Sequence, residues 1–250
     1  PIDECTRRGI VVFNTPGANA NAVAELVICG LMLGSRNVVG GIDWARGLMG
    51  QGDEVPKLVE KGKAQFAGPE ARGKTLGVIG LGAIGAIVAN AAVQGLGMNV
   101  IGYDPFISVE SAWSLSRSVH RSTAVDEIFE KADYITLHVP LKDGTRGMIN
   151  DAAIAKMKDG VILLNSSRGP LIVEQDLADA LHSGKVFAAG LDVVSTEPIA
   201  ASSPLLSAPN CVITPHIAWA PKESRQRILD QTLENVRAYL AGAPVNVVNL

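Results

Sequence analysis

A chain of 250 residues can bury one large core or two smaller ones. It is 47% hydrophobic but only 4% aromatic, so Ala, Val, Ile, Leu and Gly must carry the packing, which favours alternating helices and strands over an aromatic-rich sandwich. The net charge of −3, with acids and bases interspersed, argues against a nucleic-acid surface, and the densest apolar run, near 27–33, is too short to span a bilayer.

The first residues, PIDECTRRG, mix charges and read as no secretion signal. Cys5, Cys29 and Cys211 are scattered and odd in number, so neither a disulfide framework nor a metal site is expected, and a reducing cytoplasm is the default. There is no initiator Met, and RRGIVVFNTPG reads as a short strand leaving a turn, as in a fragment that starts mid-fold. Residues 20–36, ANAVAELVICGLMLGSR, are apolar on nearly every face, so a helix there must pack on most sides. The following segment, from GIDWARG to GPEARGK, is polar and glycine-punctuated, with a short helix over 54–62.

From Thr75 the pattern changes. TLGVIG reads as a buried strand, AIGAIVANAAVQGLG as a helix and NVIGYD as a second strand. Further strands follow at ADYITLHVP, GVILLNSS, VFAAGLDVV and CVITPH, with helices over 151–157 and 173–183 and an amphipathic helix from about Lys222 to Leu240. Apolar strands alternating with helices predict an α/β fold with a doubly wound parallel sheet of Rossmann type.

GLGAIG, residues 80–85, matches G-x-G-x-x-G. The pattern alone is weak, but here it follows an apolar strand and opens an alanine-rich helix, as the motif requires. Gly80 allows the tight turn, Gly82 lets the backbone approach a pyrophosphate, and Gly85 lets helix and strand pack closely. The helix N-terminus then offers unpaired N–H groups to the phosphates. Asp104, at the end of the second strand, stands where an acid binds the adenosine ribose hydroxyls, and its charge favours NAD over NADP. The competing reading is a glycine turn with an unrelated loop acid.

Three further residues follow apolar strands: Arg168 after VILLNSS, Glu197 after AAGLDVVSTEP and His216 after CVITP. In open parallel sheets ligands sit beyond the carboxyl ends of the strands. Hydride transfer to a 2-oxo acid needs this set. An Arg holds the substrate carboxylate bidentately, an imidazole exchanges a proton with the carbonyl oxygen, and a carboxylate orients the imidazole and favours its protonated form. Taken singly, Arg168 reads equally as a solvated cation, Glu197 as a turn acid and His216 as a satisfied strand-end histidine.

GLGAIG, NSSRGP, GLDVVSTEP and TPHIAWAP, in this order, resemble the D-isomer-specific 2-hydroxyacid dehydrogenase family, and NTPGANANAVAEL resembles its segment between substrate and cofactor lobes. The resemblance covers essentially the whole chain. It implies that Arg168 binds substrate, that His216 is the proton donor or acceptor, that Glu197 is its partner and that Asp192 accepts from the nicotinamide amide. It places Ile84 and Thr145 along the pyrophosphate and nicotinamide ribose, and His138, Val139 and Pro140 along the adenosine. Ala83, Tyr103, Pro105, Ser166, Ser167 and Ala218 complete the implied cofactor set, in which Arg168 and His216 also take part.

The family carries a lobe of about a hundred residues ahead of this chain's start, so 1–14 and about 241–250 read as a remnant of a flavodoxin-like substrate domain. Residues 15–240 read as the NAD-binding domain with its crossover helix and dimerisation arm, which includes Trp44. A homodimer is implied, with no nucleic-acid or membrane partner. The first 150 residues look most like bacterial phosphoglycerate dehydrogenases. The tail, TPHIAWAPKESRQRILD and PVNVVN, looks more like the glycerate dehydrogenase and hydroxypyruvate reductase branch. Trp219 either narrows a pocket for a small substrate or only packs. The activity implied is NAD-dependent interconversion of a small 2-oxo acid and its D-2-hydroxy acid. The substrate expected is hydroxypyruvate/D-glycerate, with phosphohydroxypyruvate/3-phosphoglycerate next. A non-enzymatic NADH-binding regulator of corepressor type and a cofactor-binding fragment without turnover are the alternatives.

Overall fold

The computed structural model describes residues 2–249. Along them run α1 (Ile2–Arg7), α2 (Ala20–Ser35), α3 (Val38–Gly47), α4 (Val55–Gly62), β1 (Thr75–Ile79), α5 (Ala83–Gln94), β2 (Asn99–Tyr103), α6 (Val109–Ser114) and β3 (Val119–Arg121). They continue with α7 (Val125–Lys131), β4 (Tyr134–Leu137), α8 (Asp151–Lys156), β5 (Val161–Asn165), α9 (Glu174–Ser183), β6 (Val186–Leu191), β7 (Cys211–Ile213) and α10 (Lys222–Leu240). Two compact units result: Ala24–His216, and the residues up to Val23 together with those from Ile217. These divisions differ from the 14/15 and 240/241 boundaries read from the sequence.

The larger unit is built on one sheet in the order β3-β2-β1-β4-β5-β6-β7, with every neighbouring pair parallel. The order reverses between β1 and β4, the topological switch point of a doubly wound sheet. β4 and β5 are buried along their whole length, which is why YITL and VILLN are nearly unbroken apolar runs. Glycines bring helices onto the sheet. A Cβ on Gly77 of β1 would lie 2.4 Å from Ile128 of α7, and one on Gly34 of α2 would lie 3.0 Å from Ile162 of β5. Ser35 closes α2 by hydrogen bonding to the Leu31 carbonyl and the buried Tyr134 hydroxyl.

Other elements depart from the sequence reading. RRGIVVFNTPG forms no strand; α1 ends on its first residue, Arg7, and Phe13 alone makes an antiparallel bridge to Val247. The glycine-punctuated segment contains α3, whose three glycines weaken helix propensity. The Asn37 side chain caps it by accepting from the Gly40 N–H at 3.0 Å, and Trp44 packs against Phe66 with ring centroids 5.4 Å apart. Short, largely exposed α6 and β3 and the short α7 occupy a stretch to which the sequence reading assigned no element.

In the smaller unit α10 is tied to the N-terminal segment. Asn235, buried in α10, donates to the Asn14 carbonyl at 2.8 Å and accepts from Asn246, while Arg227 donates to the Ala18 carbonyl. Val12 and Val248 share a backbone hydrogen bond, and Phe13 meets Tyr239 edge to face. Among the described residues no single helix is long and apolar enough to cross a membrane.

Candidate active site

The glycine turn lies at the carboxyl end of β1. Gly80 has φ of +96°, and a Cβ there would lie 2.7 Å from the His138 carbonyl, so both the backbone conformation and the neighbouring strand end demand glycine. A Cβ on Gly85 would lie 1.9 Å from the Gly80 oxygen. Gly82 differs: it is exposed, a Cβ there would meet nothing within 4 Å, and as N-cap of α5 it offers no side-chain cap. The first-turn N–H groups of Ala83, Ile84 and Gly85 therefore border open space that suits an anion.

Asp104 ends the neighbouring strand. Its Oδ2 accepts from the Leu81 N–H and its Oδ1 from the Phe106 N–H, both at 2.8 Å. The Gly80 N–H donates to the Tyr103 carbonyl at 2.8 Å, and Pro105 is exposed beside it.

Across the switch point, the His138 ring contacts Thr136 through Nε2 at 3.0 Å, while its buried Nδ1 has no partner among the described residues. Burial pushes the imidazole down to about 4, so it is neutral at ordinary pH. Beyond it, the Val139 carbonyl accepts from the Ser167 hydroxyl and the Pro140 carbonyl from the Thr145 hydroxyl, both at 2.7 Å. The open cradle at Gly82 and the orphaned nitrogen of His138 at the same switch point fit a dinucleotide.

The remaining groups stand at the ends of β5, β6 and β7, which are adjacent in the sheet. Asn165, fully buried, folds the turn after β5: its Oδ1 accepts from the Ser167 N–H at 3.0 Å and its Nδ2 donates to the Arg168 carbonyl at 2.9 Å. The turn, whose Ser166 is half-buried, presents Arg168 at the surface, one guanidinium N–H on the Ser167 carbonyl and no ion pair among the described residues. Asp192 follows β6, is 2% exposed, and accepts from the Thr214 hydroxyl at 2.6 Å.

Glu197 Oε1 accepts from the Val194 N–H at 3.2 Å, and Oε2 lies 2.7 Å from His216 Nδ1. An Nδ1–H donor to the carboxylate fits this contact, and Nε2 is the second ring nitrogen through which an imidazole exchanges protons. His216 has φ of +55°, a left-handed backbone that costs a non-glycine residue about 1–2 kcal/mol. Glu197, His216, Asp192 and Thr214 border a cavity of about 590 Å³, otherwise walled by apolar residues including Val194, Ile199 and Ile213. Ala218 is buried and Trp219 is 43% exposed in the smaller unit.

The sequence reading passed over Asn165 and Thr214, and Glu174, whose carboxylate accepts from the Ser195 N–H at 2.5 Å and so secures the loop before Glu197. A polar residue at the end of a fully apolar strand was the available signal for Asn165, because buried polar groups need partners.

Fold and site together define a Rossmann dinucleotide-binding protein with a paired histidine and glutamate beyond the carboxyl ends of its strands. Residues 41–218 match the family model of the D-isomer specific 2-hydroxyacid dehydrogenase NAD binding domain, and the chain belongs to that family. It is 56% identical over 180 residues to the hydroxypyruvate reductase of Blautia hydrogenotrophica, covering 72% of this chain and 54% of that protein. Over 250 residues it is 39% identical to the D-3-phosphoglycerate dehydrogenase of Archaeoglobus fulgidus, covering 100% of this chain and 45% of that one. The crystal structure of Aquifex aeolicus D-lactate dehydrogenase complexed with NAD and lactic acid superposes with a TM-score of 0.81 at 30% identity, over 99% of this chain and 76% of that one. The chain spans about half the length of the curated relatives it matches.

Proposed function

We propose that this chain is the cofactor-binding and proton-transfer part of an NAD-dependent oxidoreductase that interconverts a small 2-oxo acid and its D-2-hydroxy acid. The observation that carries the reading is the 2.7 Å pairing of His216 with Glu197, on the same sheet edge as the glycine turn and Asp104. Gly80, Gly82, Ala83, Ile84, Gly85, Tyr103, Asp104, Pro105, His138, Val139, Pro140, Thr145, Ser166, Ser167, Arg168, Asp192, His216 and Ala218 are the groups assigned to hold the cofactor. A nicotinamide held by these groups would supply or receive the hydride at the substrate's second carbon. Arg168 holds the substrate carboxylate through paired N–H donors. Reduction draws a proton from His216 Nε2 to the carbonyl oxygen, and oxidation returns it. Glu197, 2.7 Å from Nδ1, keeps Nε2 aimed at that oxygen.

Hydroxypyruvate/D-glycerate is the preferred pair, supported by the likeness to the Blautia hydroxypyruvate reductase, and phosphohydroxypyruvate/3-phosphoglycerate is the second. We assign residues 15–240 to the NAD-binding domain and 1–14 with 241–250 to the substrate-binding domain. Homodimerisation is assigned to α2 and α3, where Val38, Val39 and Ile42 are exposed. A cytoplasmic location suits the three free thiols. Elution as a monomer at micromolar concentration would count against the dimer.

The test is NADH consumption with hydroxypyruvate, phosphohydroxypyruvate and glyoxylate in parallel, beside His216→Asn. Turnover that vanishes in the variant supports the reading and ranks the acids. NADH binding without turnover by any of the three favours a non-catalytic cofactor-binding role.

A further inference from the structure

We propose that Thr214 is a positioning residue for the nicotinamide end of the cofactor, acting through Asp192. The inference rests on the cofactor reading above and adds a residue to it.

β6 and β7 pair in parallel with Leu191 opposite Ile213, and the Thr214 N–H donates to the Leu191 carbonyl at 2.9 Å. Asp192 and Thr214 are thus the next rung beyond the last pair, where their side chains meet. The 2.6 Å bond from the Thr214 hydroxyl to Asp192 Oδ1 is a charge-assisted one, and the carboxylate it meets is buried. An ionised carboxylate offers about four acceptor directions in its plane. A donor fixed on one oxygen sets that plane, and with it the lone pair presented to an amide N–H. Threonine suits the task because its branched Cβ holds χ1.

The same residue governs the proton donor's backbone. The Thr214 carbonyl accepts from the His216 N–H at 2.9 Å, across the turn that gives His216 its left-handed φ. Asp192, Thr214 and His216 border one cavity. From the end of β2, where Asp104 stands, to the end of β6 is four strand spacings, about 19 Å. That distance is within the reach of an extended dinucleotide with its adenosine at Asp104 and its carboxamide at Asp192.

The test compares NADH with ADP-ribose, which lacks the nicotinamide, by calorimetry on the purified chain. Thr214→Val should weaken NADH about tenfold, the effect of one charge-assisted hydrogen bond, and leave ADP-ribose within about twofold. Thr214→Ser should restore NADH affinity, and Thr214→Ala serves if the valine variant does not fold. In an Asp192→Ala background, which removes the acceptor altogether, Thr214→Val should add no further loss. Equal weakening of both ligands, or unchanged NADH affinity, overturns the inference. A wild-type chain that binds NADH no tighter than ADP-ribose overturns it while leaving the cofactor site standing. Binding of neither ligand overturns the cofactor reading and this one together.

Discussion

The backbone of Val194 passes so close to Gly169 that a Cβ placed on the glycine would lie 2.0 Å from the Val194 carbonyl. Gly169 directly follows Arg168, and Val194 donates its N–H to Glu197. The turn that presents the candidate substrate-binding cation and the loop that presents the candidate acid–base pair are therefore stacked backbone on backbone. Their backbones approach too closely to admit a side chain between them.

Gly169→Ala should separate these two loops. Overpacking against a backbone that cannot rotate away costs about 1–3 kcal/mol. A lowered urea midpoint, with kcat/KM reduced further than stability alone explains, is the expected result. A variant as stable and active as wild type would show that the loops have room to part.

Gly82→Ala separates folding from binding. No atom lies within 4 Å of the added methyl, so stability should stay within about 0.5 kcal/mol of wild type. The methyl occupies the space above the first turn of α5, where a pyrophosphate would approach, and NADH affinity should fall about tenfold or more. Calorimetric titration with NADH, beside a thermal melt, measures both.

Arg168→Lys keeps the charge and loses the planar fork. The loss of a bidentate, charge-assisted contact to a carboxylate should lower kcat/KM about 10- to 100-fold. The Kd for NADH should move far less, because the guanidinium is assigned first to the substrate carboxylate and only secondarily to the cofactor. A matching loss in NADH binding would make the cofactor, not the substrate, the main partner of Arg168.

His138 makes stability pH-dependent. Its imidazole is held neutral down to about 4 by burial, whereas in the unfolded chain it titrates near the ordinary value of 6.5. Between these values the unfolded state binds more protons, so stability falls as pH drops from about 6.5 to 4, by about 3 kcal/mol in total. The unfolding free energy of His138→Gln should show a correspondingly shallower decline from pH 7 to pH 4 in urea titrations. Parallel pH profiles for variant and wild type would place the acid sensitivity elsewhere.

What could be read from residues alone was local chemistry on strong elements. The fully buried strands β4 and β5 declare themselves by unbroken apolar runs, and the glycine turn with Asp104 by spacing. Arg168, Glu197 and His216 could be assigned to one edge because each follows an apolar strand. α6 could not, since Val109 and Trp113 are 75% and 85% exposed and supply no core-facing stripe, although Ser108 was a capping signal. β3 is three residues long at the sheet edge and carries exposed His120 and Arg121. The demands on Gly169 and Thr214 come from loops and strands distant in sequence, and only the β5-β6-β7 register reveals them.

Asp104 uses one oxygen to hold Leu81 inside the glycine turn and the other to hold Phe106 in the loop beyond. Replacing it to admit a phosphorylated ribose therefore removes the splint of the pyrophosphate turn together with the repulsive charge. A redesign toward NADP must supply a new acceptor for the Leu81 amide as well as a cation for the phosphate. Point substitution at Asp104 alone should yield a protein that has lost its preference by losing grip on both cofactors, and evolutionary drift between the two should proceed through paired changes.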